Sequence, residues 1–446
     1  MKTILPIPSL LFLLLIAIAT SLQAAKQPNI LFIITDQHHA RMLSSAGNPY
    51  LKTRALDSMA KSGIRFSNAY VTNPVCVPSR ISMATGMMAG RFGVFNNGMR
   101  ATIPKKVSDN SLGKLIKSGG YHTFYGGKVH MAPVLSPLKA GYDEFCKDQR
   151  DELPGACIEF MTRKRDKPFF AVASFINPHD ICFAYNARQP NRKGKPLVDK
   201  LYQEAQALPA DKLPPLPKNS EIPEREPAAI EATMKVTAVT PAKLIRKYYN
   251  ERDWRNYRWI YCRLTERVDA QIGRLLDALK KNGLEKNTLV IFTSDHGFHL
   301  GEHDFWAKVS LLDESSQVPL IICVPGKKPA VCHSLTELLD LYPTVAALCG
   351  LPAQSRLQGK DISKMLDDPS HSVRDAAFCV APARKGFLLR EEKWSYIQYG
   401  EKADKGIELF DAQKDPKQYD NLAQKKEYQP VVKAFKKKLA AKMAPP

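Results

Sequence analysis

The stretch Asn-Ile-Leu-Phe-Ile-Ile-Thr-Asp-Gln, residues 29–37, opens with an unbroken apolar run and closes with polar side chains. Such a run is typical of a strand that is buried on both faces of a parallel sheet. Asp36 and Gln37 would then lie at the carboxyl end of the strand, where open α/β sheets place their ligands. The stretch therefore predicts both the fold class and the sheet edge that carries the site.

Similar short apolar runs alternate along the chain with segments of helical periodicity. We predict further strands at residues 63–70, 121–125, 169–175, 288–293 and 318–324. We predict the helices between and after them at residues 54–62, 111–118, 254–281 and 335–348. This alternation indicates an α/β fold with a doubly wound, mostly parallel sheet sandwiched by helices.

The composition changes along the chain and suggests how it is divided. Residues 1–25 combine a positive start, a short apolar core and small residues at the end, which is typical of a signal peptide. Residues 26–350 would form the catalytic domain, with a surface insertion at 186–250 that is rich in Pro, Lys and Glu. Residues 351–446 predict a small C-terminal α+β subdomain, built on an antiparallel sheet and closed by a basic helix.

The charge balance bears on the choice of partner. The chain of 446 residues has 65 Lys and Arg against 44 Asp and Glu, a formal net charge of +21. The basic residues are scattered, without an aromatic-interleaved arm or zinc-finger spacing, which argues against a nucleic-acid partner. An excess of positive charge favours capture of an anionic polymer, although a solvated basic surface without a partner is the alternative. No apolar run after the signal peptide is long enough to span a bilayer, so we expect an exported protein, periplasmic or secreted.

The nine cysteines leave two readings open. No C-x-x-C spacing occurs, which argues against a thiolate zinc site. An exported protein permits disulfides, and Cys146 with Cys157 or Cys323 with Cys332 are candidate local pairs. The alternative is that cysteines in apolar runs are buried and free.

A second stretch, Pro-Val-Cys-Val-Pro-Ser-Arg-Ile-Ser-Met-Ala-Thr-Gly at residues 74–86, holds the candidate nucleophile. Pro78 suits the first turn of a helix, which places Cys76 at a helix N-terminus, where the dipole favours an anion. Arg80 adds a charged fork that matches a tetrahedral oxyanion. Taken alone, Cys76 is better explained as a small buried residue before a helix.

Polar side chains follow four of the predicted strands, at what should be one edge of the sheet. Two carboxylates, an amide oxygen and an imidazole suit a hard divalent cation, and the oxygen majority favours Ca²⁺ over Zn²⁺. Cationic groups around one nucleophile suit the cleavage of a charged ester. The predicted metal ligands are Asp36, Gln37, Asp295 and His296, and the predicted cationic cluster is Arg80, Lys128, His130, His179 and Lys308.

The motifs resemble those of type I, formylglycine-dependent sulfatases in the alkaline phosphatase superfamily. The C-x-P-S-R signature stands at residues 76–80, G-K-x-H at 127–130, S-D-H-G at 294–297, and L-G-E-H at 300–303 before Lys308. The resemblance covers nearly the whole mature chain and implies an alkaline phosphatase-like fold.

Details within these motifs indicate branches of that family. Asp-Gln at residues 36–37 resembles the choline-sulfatase and phosphonate monoester hydrolase branch. The sequence of residues 301–308 resembles that of iduronate-2-sulfatase-like members. Two departures occur: Arg54-Ala55 replaces a usual Pro-Asn, and Ile181 replaces a common Pro close to where the substrate would bind.

The resemblance implies a role for each matched residue. Cys76 would be oxidised to 3-oxoalanine (formylglycine) by a formylglycine-generating or anaerobic sulfatase-maturing enzyme, and Arg80 would stabilise it. Lys128, His179 and Lys308 would bind the sulfate, with His179 or Lys308 protonating the leaving group. His130 would hold the hydrated aldehyde and accept its proton. The predicted ligands, together with residue 76, would hold one Ca²⁺, with Mg²⁺ as the alternative.

The expected function is that of a sulfuric ester hydrolase acting on a sulfated oligo- or polysaccharide. One alternative is a phosphonate or phosphate diester hydrolase, because that branch shares the Asp-Gln and C-x-P-S-R patterns. Another is a non-catalytic protein that binds sulfated glycans and keeps an unconverted cysteine.

Overall fold

The computed structural model describes residues 27–98, 102–188, 194–234, 242–352 and 354–443. The predicted signal peptide lies outside the described residues. Within these ranges, no helix combines the length and apolarity that a bilayer-spanning segment needs.

The described residues contain strands in three sheets and helices that flank them. The strands are β1 (Asn29–Asp36), β2 (Ile64–Tyr70), β3 (His122–Gly127), β4 (Glu144–Cys146), β5 (Phe169–Pro178), β6 (Thr288–Ser294), β7 (His299–Leu300), β8 (Trp306–Ala307), β9 (Gln317–Cys323), β10 (Ala330–Cys332), β11 (Thr336–Glu337), β12 (Ala376–Val380), β13 (Gly386–Glu391), β14 (Trp394–Tyr399) and β15 (Ile407–Asp411). The α-helices are α1 (Arg54–Ser62), α2 (Cys76–Thr85), α3 (Lys105–Ser108), α4 (Leu112–Ser118), α5 (Leu153–Thr162), α6 (Ala184–Ala187), α7 (Pro196–Ala207), α8 (Ala228–Met234), α9 (Ala242–Tyr248), α10 (Glu251–Lys281), α11 (Asp313–Ser316), α12 (Leu341–Leu348) and α13 (Gln429–Met443).

The main sheet has β1 near its centre, in the order β10-β2-β9-β6-β1-β5-β3-β4, with β11 also paired to β2. β1 runs parallel to β5 and β6, and β3 runs parallel to β5. β9 is the antiparallel member, between β2 and β6. The predicted mostly parallel α/β sheet is confirmed, and the carboxyl ends of β1, β3, β5 and β6 meet at one edge.

Alternate residues of β1 enter two hydrophobic cores, which explains its unbroken apolar run. Phe32 packs in the core that includes Leu115 of α4 and Tyr342 of α12. Leu31, on the opposite face, packs in the core that includes Leu56 of α1 and Ile272 of α10. Helices therefore cover both faces of the sheet, and they leave its carboxyl edge for the site.

The C-terminal residues form the predicted antiparallel sheet, in the order β12-β13-β14-β15. One face packs against Phe435 and Leu439 of α13. The other face, with Leu388 and Ile397, belongs to the same core as Phe32 of the main sheet. The boundary at residue 350 stays a prediction, and the two parts share one core.

The placement of residues 186–250 on the surface is wrong for the apolar residues of the segment. Val198, Leu201 and Ala205 of α7 are buried in the main core, and so are Leu213 and Ile245. The spacing of the three α7 residues is that of one helix face. The high content of Pro, Lys and Glu hid this apolar stripe.

The structure also corrects the predicted helix at residues 335–348. Residues 335–348 do not form one helix, because Thr336 and Glu337 pair with β2 as β11 and the α-helix begins only at Leu341.

The candidate disulfides do not form either. All nine cysteines lie in described residues, and all are free. Cys323 and Cys332 sit on β9 and β10, which flank β2. Strands two positions apart are separated by roughly 9–10 Å, beyond the reach of a disulfide. Cys146 and Cys157 pack in the same apolar core as free thiols, which is the alternative that the sequence left open.

Candidate active site

The start of α2 places Cys76 under the carboxyl edge of the main sheet. Val75 is extended, with φ −143° and ψ 145°; the helix begins at Cys76 and ends at Thr85, where the left-handed Gly86 caps it. The side-chain oxygen of Asn97 accepts a hydrogen bond from the amide of Val77 at 3.0 Å and so satisfies one donor of the first turn. Cys76 is fully buried at this helix N-terminus, as predicted.

Three cationic or ionisable groups surround the thiol of Cys76. Its Sγ lies 3.1 Å from Nε2 of His296, 3.2 Å from Nζ of Lys308 and 3.7 Å from Nζ of Lys128. Burial raises the pKa of this thiol and so does Asp36, but Lys128, Lys308 and His296 outweigh both and hold the pKa well below its usual range. The site is therefore built to stabilise negative charge at the side chain of residue 76.

Arg80, one turn along α2, joins the two carboxylates of the site. Its Nε donates to Asp295 at 2.8 Å, and Nη2 donates to Asp36 at 3.2 Å. Its Nη1 donates to the hydroxyl of Ser174 at 2.8 Å and to the carbonyl of Lys128 at 2.9 Å. With all its donors directed inward, Arg80 holds the ends of β1, β3, β5 and β6 in fixed register.

The pKa values of the two carboxylates are shifted in opposite directions although the groups are close together. Burial raises the pKa of Asp36, but an ion pair with Lys128, together with His179 and Arg80, brings it well below the usual range. Burial raises the pKa of Asp295, and the negative charge of Asp36 raises it further. Two buried carboxylates that lie close together favour a cation between them.

The side chains at this edge could hold a divalent cation, as expected from the sequence. Ligand atoms of Asp36, Cys76, Asp295 and His296 all lie within 4.8 Å of one another. Nδ1 of His296 pairs with the carbonyl of Gly297 at 2.8 Å, which directs Nε2 toward the carboxylates and Cys76. Carboxylate oxygens with one imidazole nitrogen match a hard metal ion.

Gln37 lies at the rim of this donor set, on a strained turn. Its φ is +70°, and its amide donates to Oδ1 of Asp295 at 3.0 Å. Tyr261 of α10 donates to its carbonyl at 2.6 Å and holds the turn in place. The side-chain amide is bound at both ends, since Oε1 accepts from Lys308 at 3.0 Å and Nε2 donates to Sγ of Cys182 at 3.2 Å.

A cavity of about 470 Å³, here called the nucleophile cavity, opens above these residues. Gln37, His130, His179 and Lys308 line it on the side of the sheet edge. His130 is exposed on the rim, whereas His179 is half-buried. Burial lowers the pKa of His179 to about 3, and Lys308 and Lys128 add to this effect against the opposing charge of Asp36. Lys308 keeps its proton, because Cys76 and Asp36 outweigh burial and raise its pKa.

The structure gathers the predicted site residues at one edge of the sheet, with His130 farthest out. Sequence reasoning missed three positioning residues: Ser174, Cys182 and Asn97. Ser174 is the polar residue within the apolar run of residues 169–176, and that interruption was a usable signal. Cys182 lies in a short 3-10 helix, His179–Phe183, and Asn97 lies in a turn, and no pattern in the sequence marks either residue.

Comparisons with known proteins identify the family of the chain. A family model described as Sulfatase matches residues 28–351, and one described as N-sulphoglucosamine sulphohydrolase, C-terminal, matches residues 301–444. A Delta 4,5-hexuronate-2-O-sulfatase of Bacteroides thetaiotaomicron is 28% identical over 444 residues, which cover 92% of this chain and 87% of the relative. An ulvan-active sulfatase of Formosa agariphila is 26% identical, with 94% of this chain and 81% of the relative covered.

Solved structures share the fold over nearly the full length. A 2-O GAG sulfatase superposes with a TM-score of 0.78 at 25% identity and covers 94% of this chain and 92% of its own. The phosphonate monoester hydrolase of Agrobacterium radiobacter superposes with a TM-score of 0.75 at 21% identity, over 93% of this chain and 95% of its own. At that identity the second likeness concerns the fold alone.

Proposed function

The chain belongs to the sulfatase family, and from that membership we propose that it removes sulfate from a sulfated carbohydrate with residue 76 as the nucleophile. The reaction class is sulfuric ester hydrolysis. The observation that carries the assignment of residue 76 is its surroundings: a buried side chain at a helix N-terminus, with Lys128, Lys308 and His296 within 3.7 Å of its sulfur.

Residue 76 would act as 3-oxoalanine rather than as cysteine. The hydrated aldehyde supplies a hydroxyl nucleophile and a route for releasing sulfate that a plain thiol lacks. Arg80 occupies the next turn of α2 and would keep the charged groups below residue 76 in place. Conversion requires a formylglycine-generating or anaerobic sulfatase-maturing enzyme, and this partner stays a prediction.

The metal ligands would be Asp36, Gln37, Asp295 and His296, together with residue 76. When bound, a divalent ion supplies charge stabilisation at the reacting oxygens. We favour Ca²⁺ because oxygen donors predominate, with Mg²⁺ as the alternative. To bind the metal, Oε1 of Gln37 would have to give up the hydrogen bond that it accepts from Lys308. Lys308 would then be free to contact the substrate.

Lys128, Lys308 and His179 would hold the sulfate group of the substrate beside residue 76. The ammonium groups of both lysines already lie near Sγ of Cys76, and His179 lines the nucleophile cavity. The sulfate oxygens carry the charge that these donors match. The leaving alcohol would point outward, into the nucleophile cavity, past His130 and Asn96.

Two residues can deliver the proton that the leaving oxygen needs, and they differ in charge. With its pKa lowered to about 3, His179 is neutral at pH 7, while Lys308 is charged. A bound sulfate ester would raise the pKa of His179 by adding negative charge. His130, on the exposed rim, would accept the proton that residue 76 releases when sulfate departs.

A leaving-group series separates His179 from Lys308. If His179 is the acid, His179→Ala should lower kcat on an alkyl sulfate by about a hundredfold, and far less on 4-nitrophenyl sulfate, whose leaving group needs no proton. Lys308→Ala should then lower kcat/KM on both esters alike, because it removes sulfate binding. The opposite pattern, with alkyl-selective loss only in Lys308→Ala, would assign the proton to Lys308.

The carbohydrate substrate is supported by the relatives and by charge. The relatives named above include a hexuronate sulfatase and an ulvan-active sulfatase. A net charge of +21 would speed the capture of a polyanionic glycan. Export to the periplasm or the medium, where such glycans are met, is part of the proposal.

The proposal is tested by measuring sulfate release from a panel of glycans and from simple esters. We expect kcat/KM on 4-nitrophenyl sulfate to exceed that on the matched phosphate and phosphonate esters, and at least one sulfated glycan to lose sulfate. Faster turnover of the phosphorus esters would instead favour a phosphonate or phosphate diester hydrolase. Binding of glycans without release of sulfate would favour a non-catalytic protein.

A further inference from the structure

A second cavity lies close to the nucleophile cavity, because residues that are neighbours in the chain line the one and the other. This outer cleft, about 560 Å³, is bounded by residues 88–95 on one side and the C-terminal sheet and α13 on the other. Asn96 and Pro382 line the nucleophile cavity, while the nearby Phe95 and Arg384 line the outer cleft. The two cavities are therefore neighbours, with residues 95–96 and 382–384 as the wall between them, and a chain-like ligand that occupies both would cross this wall.

The wall between the cavities is held in place by both parts of the molecule. Asn73 donates to the carbonyl of Phe95 at 3.2 Å, and the amide of Val380 donates to the carbonyl of Thr72 at 2.9 Å. The turn that carries Arg384 has left-handed backbone at two successive residues, Ala383 at φ +57° and Arg384 at φ +56°. A turn of this kind persists only where the surrounding packing enforces it.

The charged residues that line the outer cleft, within the described part of the chain, are all basic: Arg91, Arg384 and Lys442. All three are exposed. Nη2 of Arg384 pairs with Glu401 at 2.8 Å, an exposed ion pair that costs little to exchange for another anion. The cleft is therefore complementary to a negatively charged ligand.

Aromatic rings lie behind these cations: Phe378 and Phe387 are buried, and Phe95 is half-buried. Phe378 and Phe387 stack with centroids 6.4 Å apart and rings 3° from parallel. The guanidinium carbon of Arg384 lies 5.6 Å from the centre of the Phe95 ring and 6.0 Å from that of Phe387. The partly exposed ring of Phe95, bordered by Arg384, suits a sugar ring with a charged substituent, because the sugar packs on the apolar ring while the anion meets the cation.

We propose that the outer cleft binds an anionic sugar unit of the same glycan, next to or near the unit that loses its sulfate. The ligand is a carboxylate- or sulfate-bearing sugar, and Arg384 is its principal contact. The inference rests on the proposed function and extends it: the preferred substrate is an oligosaccharide longer than a disaccharide.

The test compares disaccharides with hexasaccharides of heparin and chondroitin sulfate. Wild-type protein should bind the hexasaccharide at least about tenfold more tightly than the disaccharide, as measured by calorimetry. Arg384→Ala should remove most of this tenfold ratio. If either hexasaccharide loses sulfate, the same ratio should appear in kcat/KM. A carboxyl-reduced hexasaccharide and a sulfate-depleted one then show which anion Arg384 contacts.

Arg163→Ala is the matched control. Its side chain is 49% exposed and pairs with Glu144 at 2.9 Å, much as Arg384, 46% exposed, pairs with Glu401. Equal ratios in Arg384→Ala and Arg163→Ala, or no difference between lengths in the wild type, would overturn the proposal. The proposed function would fail in another way, by the absence of sulfate release from every glycan. The length-dependent binding could still be observed in that case.

Discussion

At the scale of single residues, Cys76 has the environment of an anion and not that of a structural thiol. The other buried cysteines, such as Cys157 and Cys262, have their pKa raised by burial. Only at Cys76, among the cysteines whose pKa is shifted, do nearby cations reverse that effect. The residue is the point at which the helix dipole, two lysines and the candidate metal ligands converge.

Replacing Cys76 by alanine should abolish sulfate release while preserving the fold. We expect kcat/KM on 4-nitrophenyl sulfate to fall by roughly a thousandfold or more, because no other side chain can supply the nucleophile. The free energy of unfolding should change by less than about 2 kcal/mol, since Lys128 keeps Asp36 as its partner. Cys157→Ala, at an equally buried cysteine, is the control and should retain activity.

The residues of the site were predictable where a motif marks them and not elsewhere. Asp36, Lys128, His179 and Asp295 follow predicted strands, so topology alone brings them to one edge. The bonds that orient them are not visible in the sequence. Ser174 and Cys182, for example, act through contacts between elements that are distant along the chain.

At the scale of elements, the ends of the parallel strands make the site, and glycines permit the close approach. Gly127 closes β3 with φ +93°, and a Cβ there would lie 1.9 Å from the carbonyl oxygen of Ser174. The next amide, that of Lys128, donates to the same oxygen at 2.8 Å. The G-K-x-H motif therefore serves the backbone as well as the chemistry.

Gly127→Ala should destabilise the protein by at least about 2 kcal/mol and lower activity, because the new methyl group forces β3 away from β5. The measurements are thermal unfolding and sulfate release. Gly155→Ala is the control, since a Cβ at this position in α5 meets open space. This variant should be neutral or more stable by up to about 1 kcal/mol. Similar stability of the two variants would contradict the assigned role of Gly127.

The C-terminal sheet contains a buried acid whose titration should affect stability. Burial raises the pKa of Glu408 from 4.5 to about 7, against a hydrogen bond of 2.7 Å from the hydroxyl of Tyr399. A pKa raised on folding means that stability is full below pH 4.5 and is lost as the pH rises toward 7. Glu408→Gln should therefore stabilise the protein by about 1–3 kcal/mol at pH 8 and have little effect at pH 4.5. Denaturant unfolding at both values checks this, and an equal effect at both would refute the assignment.

At the scale of the whole molecule, the catalytic part and the C-terminal sheet are joined by a common core and by buried charge. Arg374, just before β12, forms ion pairs with Glu337 and Asp340 of the main body, and all three side chains are at most 7% exposed. The amide of Phe378 also donates to Glu337 at 2.6 Å. Such links favour one cooperative unit.

A protein ending at residue 350 should therefore fail to fold. Removing the C-terminal part exposes the core around Leu388 and leaves Glu337 and Asp340 without Arg374, which costs about 3–5 kcal/mol for a buried pair. The protein that includes the C-terminal part should show a single unfolding transition by calorimetry. A soluble fragment of residues 27–350 with its own cooperative transition would show that the two parts are independent.

The fold of the whole chain was largely predictable, because strands buried on both faces leave long apolar runs. Helix α1 has the predicted bounds, and α10 starts three residues earlier than expected, at an Asn250 capping box. The antiparallel direction of β9 and the burial of α7 were not predictable. Both depend on partners far away in the sequence, and composition was a poor guide to either.

The measurement that tests the central claim most directly is the mass of the peptide containing residue 76. The protein should be expressed in a host with a formylglycine-generating or anaerobic sulfatase-maturing enzyme, digested and analysed by mass spectrometry. We predict that the cysteine sulfur is replaced by an aldehyde oxygen, and that the converted fraction scales with sulfatase activity. An unmodified thiol in fully active protein would contradict the account.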